Sequence, residues 1–256
     1  MNRSTTIILI AGALALAAAL PLGAEGFRDI ATFSLANYDD GSWRLEAENV
    51  FLARVVPALT LQAKLAREDS DGAGDRWYSH TFGFGPVISF TDTLYLITAY
   101  NLEVDSDRVF DHELEADFNY ETDEVSTSLG VRWIYFPASE YFYFLASISF
   151  RLRPGERLGL FAKLFISGDS DRAATGSLWG EADYAVSRRV TLRAGFTGSY
   201  AEDTLGWSLL AGTNVRLGEK VVLKYGFSWF TDTVEYAGEP SLQRGVRNAL
   251  TLDAKF

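Results

Sequence analysis

The chain has 256 residues, of which 48% are hydrophobic and 22% are charged, and its net charge is −11. This composition excludes an intrinsically disordered chain, which would have fewer apolar residues. The acidic balance argues against a nucleic-acid partner, because binding to phosphates needs a basic surface, and the absence of cysteine excludes a disulfide framework and a thiolate metal site.

The first segment of the chain predicts a secretory signal peptide over residues 1–24. Arg3 gives it a positive head, an apolar and Ala-rich run follows over residues 6–20, and small residues stand at its end. The alternative is an uncleaved membrane helix, but a run of about fifteen residues is short for a span, which needs ~20. We therefore expect residues 25–256 to form the exported protein as one domain.

Beyond residue 24 the sequence alternates between apolar and polar residues with a period of two. The clearest case is VFDHELEADFNY, residues 109–120, in which Phe110, Leu114 and Phe118 share one side and the intervening acids share the other. Period-two alternation over more than ten residues predicts a strand with one apolar and one wet face.

The same pattern recurs along the chain and predicts about fourteen strands, with twelve as the fallback count. Strands near residues 27–36 and 78–88 have an ambiguous facing. Turn residues separate the strands in two alternating classes, one short and one on average longer and more acidic, so the two classes belong at opposite ends of an up-and-down sheet. The longer class includes EDSDGAGD at 68–75 and a stretch from about residue 232 to 245. In chain order, the clearest alternating segments are 59–65, 94–102, 110–120, 125–133, 190–196, 207–215, 221–229 and 250–256.

Alternation alone does not separate a secreted soluble β-sandwich from a membrane barrel, but several features favour the barrel. The predicted strands have about ten residues, the length that crosses a bilayer at a tilt. Nearly all of them have a single apolar face, within a meander of alternating short and long connections. Aromatic residues, which favour the membrane interface, stand near the ends of the apolar faces at Trp43, Trp133, Tyr135, Tyr200, Trp207 and Trp229.

With these features the chain resembles the outer-membrane β-barrel proteins of Gram-negative-type bacteria, which typically finish on an alternating strand with a C-terminal Phe. The matching residues are Leu250, Leu252, Ala254 and Phe256, although Ala254 stands where the class prefers an aromatic residue. The resemblance implies an all-β, single antiparallel up-and-down transmembrane barrel, exported through the periplasm to the outer membrane. It also implies two partners, the lipid bilayer and the barrel-assembly machinery that reads the C-terminal strand.

If the apolar faces contact lipid, the other faces line the lumen, and the predicted lumen charges are sorted by sign along the chain. Opposed charges across a lumen tune ion selectivity. The alternative is that lipid merely drives these charges inward, where they pair without further effect. The first half of the chain has the acids Glu46, Glu48, Glu103, Asp111, Glu113, Glu115 and Asp117, with Arg44 and Lys64 as minority cations. The second half has Arg132, Lys163, Arg193, Arg216, Lys224, Arg247 and Lys255, with Glu181, Asp183 and Asp253 against them.

The leading functional hypothesis is a porin-like channel, not an enzyme, through which small hydrophilic solutes or ions diffuse passively without a cofactor. A non-conducting barrel that acts through its acidic loops is the alternative. A membrane-embedded hydrolase would need a histidine beside Ser or Asp; the chain has only His80 and His112, and His112 lies on a predicted lipid face. Small inward residues favour an open lumen: Ser126, Ser128, Gly130, Gly195, Thr197, Ser199, Gly212, Gly226 and Ser228.

The tripeptide Asp-Ser-Asp recurs at 69–71, 105–107 and 169–171, always near a predicted longer loop. Carboxylate oxygens are the ligands that Ca²⁺ prefers. Asp and Ser also favour turns on their own account, so the sequence predicts no metal site. The weak candidates are Asp69, Asp71, Asp105, Asp107, Asp169 and Asp171.

Overall fold

The computed structural model describes residues 26–72, 75–107, 109–169, 175–201, 204–236 and 239–256, and the predicted signal peptide over 1–24 lies outside them. No helix in these ranges is long and apolar enough to cross a membrane. The described residues form fourteen strands: β1 (Phe27–Tyr38), β2 (Trp43–Val56), β3 (Leu59–Gly72), β4 (Asp75–Ser89), β5 (Leu94–Asp105), β6 (Phe110–Glu121), β7 (Val125–Phe136), β8 (Tyr141–Leu152), β9 (Leu158–Asp169), β10 (Thr175–Ala185), β11 (Val190–Ala201), β12 (Thr204–Arg216), β13 (Val221–Tyr236) and β14 (Glu239–Lys255).

Each strand pairs with its sequence neighbours in antiparallel orientation, and β14 pairs with β1 to close a barrel. The closing register runs from Arg28 opposite Lys255 to Tyr38 opposite Gly245. Closure matters in a membrane, because an open sheet edge in hydrocarbon leaves backbone groups unpaired at a cost of several kcal/mol each. The predicted all-β up-and-down barrel is confirmed, and the count is fourteen rather than the fallback of twelve.

The two faces of the wall differ as the alternation predicted, because successive side chains of a strand point to opposite sides. Large apolar side chains predominate on the outward face, where Leu114 on β6 and Phe84 on β4 are 56% and 64% exposed. The ambiguous facings are resolved by contacts: Ser34 on β1 donates to Glu46 inside the barrel, whereas the Phe84 ring on β4 meets the outward Tyr100 ring edge to face.

Two hairpins are longer than the sequence predicted. The stretch from about residue 232 to 245, expected as a long loop, is mostly strand, since β13 and β14 pair from Val221–Ala254 out to Tyr236–Glu239. Similarly, β3 and β4 pair out to Gly72–Asp75, where a loop was expected. These loop predictions were wrong because a hairpin that extends beyond a bilayer needs no apolar face, so the period-two signal is absent there.

The ladder between β4 and β5 is interrupted. Phe84 pairs with Tyr100 and Val87 with Ile97, but no cross-strand pair joins Gly85 and Pro86 to Thr98 and Ala99. Proline lacks a backbone N–H, and a Cβ on Gly85 would collide with the Thr98 carbonyl. Side chains replace the missing bonds: the Gln62 amide donates to the Thr98 carbonyl at 2.8 Å, and the Thr98 hydroxyl donates to the Pro86 carbonyl at 3.2 Å.

Candidate functional site

The inward face of the barrel is the candidate site, and its most compact charge cluster lies on β5, β6 and β7. The register sets Glu115 opposite Arg132 and Glu113 opposite Asn101. The Arg132 guanidinium lies 3.2 Å from Glu113 and 3.0 Å from Glu115. The Asn101 amide donates to both carboxylates at 3.0 Å. Arg132 therefore belongs with the acidic residues and not with the basic half in which its sequence position placed it.

A second acidic cluster lies on β2 and β3. Arg44 contacts Glu46 at 2.9 Å and Glu68 at 2.6 Å, while Lys64 contacts Glu48 at 3.1 Å. Glu68 was not among the predicted lumen acids, because residues 68–75 have the composition of a loop. Together the two clusters border a recess of about 460 Å³ whose charged lining includes Arg44, Glu46, Glu48, Lys64, Glu68, Glu103, Glu113 and Arg132.

The remaining predicted acids also lie on this side of the barrel. Glu103 on β5 is opposite Asp111 on β6, and one carboxylate oxygen of Asp111 is buried without a hydrogen-bond partner. The Asp117 carboxylate lies over Gly130, where a Cβ would collide with it. A glycine on β7 thus makes room for an acid on β6.

The predicted cations on the later strands are in different surroundings. Lys163 lies 4.8 Å from the centre of the Phe165 ring, and Arg247 lies 5.4 Å from that of Phe230. A cation within about 6 Å of a ring is attracted by its electrons. Two further predicted cations are exposed at the ends of their strands, Arg216 on β12 and Lys255 on β14.

The closing seam of the barrel contains the best-connected acid. Asp253 on β14 accepts two hydrogen bonds from Arg28 on β1, at 2.8 and 2.7 Å, and one from Lys224 on β13 at 3.1 Å. Sequence analysis missed Arg28, because the facing of its strand was ambiguous. Further from the seam, Arg193 approaches Glu181 with a longer separation of 3.9 Å.

Aromatic residues inside the barrel were also missed. Phe161 on β9 and Trp179 on β10 meet edge to face, with ring centres 5.0 Å apart. Arg151 lies 5.1 Å from the Phe161 ring and pairs with Asp183 at 2.9 Å. Inward aromatic residues escape a prediction that assigns every large apolar side chain to the lipid face.

Both histidines lie with outward aromatic residues. Nδ1 of His112 is 2.7 Å from the Tyr100 hydroxyl, and its ring stacks on Tyr135. The His80 ring meets Tyr78 edge to face. Neither histidine has a hydrogen bond to a serine or an aspartate within the described part of the chain, so the geometry there shows no hydrolytic triad.

The Asp-Ser-Asp segments contain the bonds of turns and ion pairs. The Asp69 carboxylate accepts two hydrogen bonds from Arg67, at 2.7 and 3.0 Å. The Asp105 carboxylate accepts the backbone N–H groups of Asp107 and Val109, both at 2.9 Å. Among the described side chains no group of three or more could hold a metal ion. The side chains of Asp169 and Asp171 lie outside the described part.

Of the residues proposed as an assembly signal, Leu250, Leu252 and Ala254 lie on the outward face of β14, and Phe256 follows the strand. Leu250 is exposed there, Ala254 is buried, and the Phe256 ring lies 6.0 Å from that of Phe27. Recognition of these residues by assembly machinery stays a prediction.

A closed antiparallel barrel with an apolar outer face and a charged interior is the fold of known outer-membrane β-barrel proteins, and several solved structures of such proteins match this chain. The toluene transporter TodX of Pseudomonas putida matches with a TM-score of 0.66 at 9% identity, covering 91% of this chain and 90% of TodX. A FadL homologue of Pseudomonas aeruginosa matches with a TM-score of 0.64 at 9% identity, covering 91% of each chain.

A bacterial polysaccharide outer-membrane secretin matches with a TM-score of 0.59 at 10% identity, covering 91% of this chain and 99% of the secretin. At such identities the likeness extends to the fold alone. No protein-family model matches the sequence, and no curated protein matches it.

Proposed function

We propose that this protein is a porin-like channel of the outer membrane, through which small hydrophilic solutes or ions diffuse passively. Its partners are the lipid bilayer, the barrel-assembly machinery that inserts it and the solutes themselves. The proposal includes no cofactor and no enzymatic step.

The observation that supports an open lumen is the direction of its ion pairs. Among the described residues, the inward ion pairs join charges on one strand, on neighbouring strands or, for Arg151 and Asp183, on strands two apart. They run along the wall and do not cross the lumen. Side chains fill the interior of an eight-stranded barrel, and barrels of 16–18 strands enclose a water channel. A wall of fourteen strands lies between these two cases, and the lateral pairing of its charges supports an open centre.

The charge distribution supports selectivity within that lumen. The recess on the acidic strands and a second recess on β10–β14, lined by Arg193, Lys224 and Arg247, belong to opposite sides of one barrel. Small inward residues such as Ser128 on β7 and Gly226 on β13 take little space in the lumen. Charged walls of this kind attract one sign of ion and repel the other.

The lateral pairing also favours a second candidate, a non-conducting barrel that acts through its loops. In that case the inward charges compensate one another, and their pairs only tie neighbouring strands together. The two candidates differ in whether ions pass, so electrical measurement separates them.

The test is single-channel recording of the refolded protein in a planar bilayer, with the reversal potential measured under a salt gradient. We expect steady open steps with an ion preference. Neutralising Asp111, Glu113, Glu115 and Asp117 to their amides is expected to shift the reversal potential toward anions. The matched control removes the same charge from exposed turn residues, Asp92, Asp123, Glu124 and Glu156, and is expected to shift it less.

Two results would contradict the proposal. A folded, heat-modifiable protein that never conducts would mean that the inward charges merely pair. Equal shifts in the inward variant and the turn variant would mean that the acidic strands do not set selectivity.

A further inference from the structure

A recess of about 320 Å³ opens into the lumen from the wall formed by β10–β14. Its floor is formed by β12 and β13, the two strands between Arg193 on β11 and Arg247 on β14. There Gly212 and Gly226 pair directly with each other, so the wall has no side chain at that height. The neighbouring floor residues, Ser228 and Ala249, are small as well. Gly226, above which a Cβ would meet nothing within 4 Å, and its small neighbours thus leave open space between the two arginines.

One of these arginines has no partner of its own. Arg247 has no hydrogen bond or ion pair to any described residue, and its Nε is buried without an acceptor. Its only described electrostatic contact is with the Phe230 ring at 5.4 Å. A buried N–H without an acceptor is unfavourable, and a half-buried guanidinium without a carboxylate partner is not neutralised. An anion in the recess would supply the opposite charge that Arg247 lacks among the described residues.

The other cations of the recess are only partly neutralised. Arg193 approaches Glu181 at 3.9 Å, but its Nε has no hydrogen-bond partner. Lys224 shares the single carboxylate of Asp253 with Arg28. With Arg247 included, the lining of the recess contains three cations and no acid, so the recess has an excess of positive charge.

The remaining lining selects the kind of anion. Guanidinium groups match the planar, two-oxygen geometry of a carboxylate. Trp179 and Leu210 give the recess an apolar side, and the hydroxyls of Thr197 and Ser208 stand beside them. Its volume is at the low end of the ~300–1,000 Å³ of small-molecule pockets.

We propose that this recess binds a small organic carboxylate with an apolar body, which makes such acids the preferred solute class of the barrel. The passage of that solute rests on the proposed channel function, whereas its binding does not. Arg247 and Arg193 hold the carboxylate, and Trp179 and Leu210 contact the apolar body.

The test is calorimetric titration of the refolded protein in detergent with benzoate, benzyl alcohol and acetate. Benzoate has both the charge and the ring, benzyl alcohol has the ring alone, and acetate has the charge alone. We expect saturable binding of benzoate and at least tenfold weaker binding of the other two. Because Trp179 lines the recess, benzoate is also expected to change tryptophan fluorescence, and a Trp179→Phe variant should lose that change.

Two variants probe the recess by different routes. Arg247→Gln removes the unpartnered cation and is expected to weaken benzoate binding on the order of tenfold, the loss of one charged hydrogen bond. Gly226→Leu leaves every charge in place but fills the recess, and a Cβ on Gly226 would meet nothing within 4 Å. We expect it to abolish binding. The matched control is Gly198→Leu on the outward face of β11, where a Cβ is equally free.

Benzoate affinity that is unchanged in Arg247→Gln or in Gly226→Leu would overturn the proposal, as would the absence of saturable binding to the folded wild type. Equally tight binding of benzyl alcohol would also overturn it, since the cations would then have no role. Conductance tests the channel separately. Benzoate binding without conductance would support the binding site and contradict the channel. Conductance without benzoate binding would contradict the binding site alone.

Discussion

Replacing Asp253 by alanine is expected to destabilise the closing seam of the barrel. This carboxylate is the common acceptor for Arg28 on β1 and Lys224 on β13, and the side chain of Asp253 is only 8% exposed. Breaking a fully buried ion pair costs about 3–5 kcal/mol, because a charge is left without a partner. The two cations are 37% and 33% exposed, so water takes over part of their solvation. We therefore expect Asp253→Ala to lower the free energy of unfolding by about 2–3 kcal/mol, and Asp253→Asn, which keeps one acceptor oxygen, by about 1–2 kcal/mol.

The assay is urea unfolding of the protein in lipid vesicles, followed by tryptophan fluorescence. Lys255→Gln is the control, because Lys255 is exposed on the same strand and has no ion pair to a described residue; its effect should stay within about 0.5 kcal/mol. A double-mutant cycle with Arg28→Gln isolates the pair energy. Two results would refute the claim that these ion pairs stabilise the seam. One is an equal free energy of unfolding for Asp253→Ala and the control, and the other is a coupling energy below about 0.5 kcal/mol in the cycle.

Two further predictions concern the wall and the lumen. Gln62→Leu removes the donor to the Thr98 carbonyl at the ladder interruption, and we expect the same urea assay to give a loss of about 1–3 kcal/mol; unchanged stability would mean that another donor serves this carbonyl. Arg132→Gln removes the cation that contacts Glu113 and Glu115. The reversal potential in planar bilayers should then move toward a stronger cation preference, and a shift toward anions would contradict the placement of these acids beside the ion path.

The fold could be predicted wherever the two faces of a strand differ in chemistry. On β6, Leu114 and Phe118 face outward while Glu113 and Glu115 face inward, and the sequence alternates accordingly. On β1 the alternation fails, because the acidic Asp29 lies on the outward face and the apolar Ile30 lies on the inward face. Neighbouring strands fix their orientation: Arg28 beside them bonds Asp253 inside the barrel. Apolar–polar alternation arises where one face of a strand contacts lipid. It therefore does not predict the strands or hairpin ends whose faces have other contacts.

The signs of the inward charges could be predicted, but their partners could not. Which side chains meet depends on the register between strands, and register follows from the whole set of turns and pairs. Arg132 comes after the acids in sequence, and the pairing of β6 with β7 sets it directly opposite Glu115. Trp179 and Phe161 are inward for a similar reason, since the facing of a whole strand overrides the preference of one aromatic residue.

Ion pairs that run along the wall contribute to its stability and are also compatible with the proposed channel function. A membrane barrel must turn its charged residues inward, and those charges need partners. If Arg44, Lys64 and Arg132 found them across the lumen, their side chains would fill the space that the proposed channel function requires. They find them instead on the same strand or an adjacent one. The contacts that tie neighbouring strands together are therefore the ones that keep the centre clear. Arg247, which has no lateral partner among the described residues, is the cation left available to a solute.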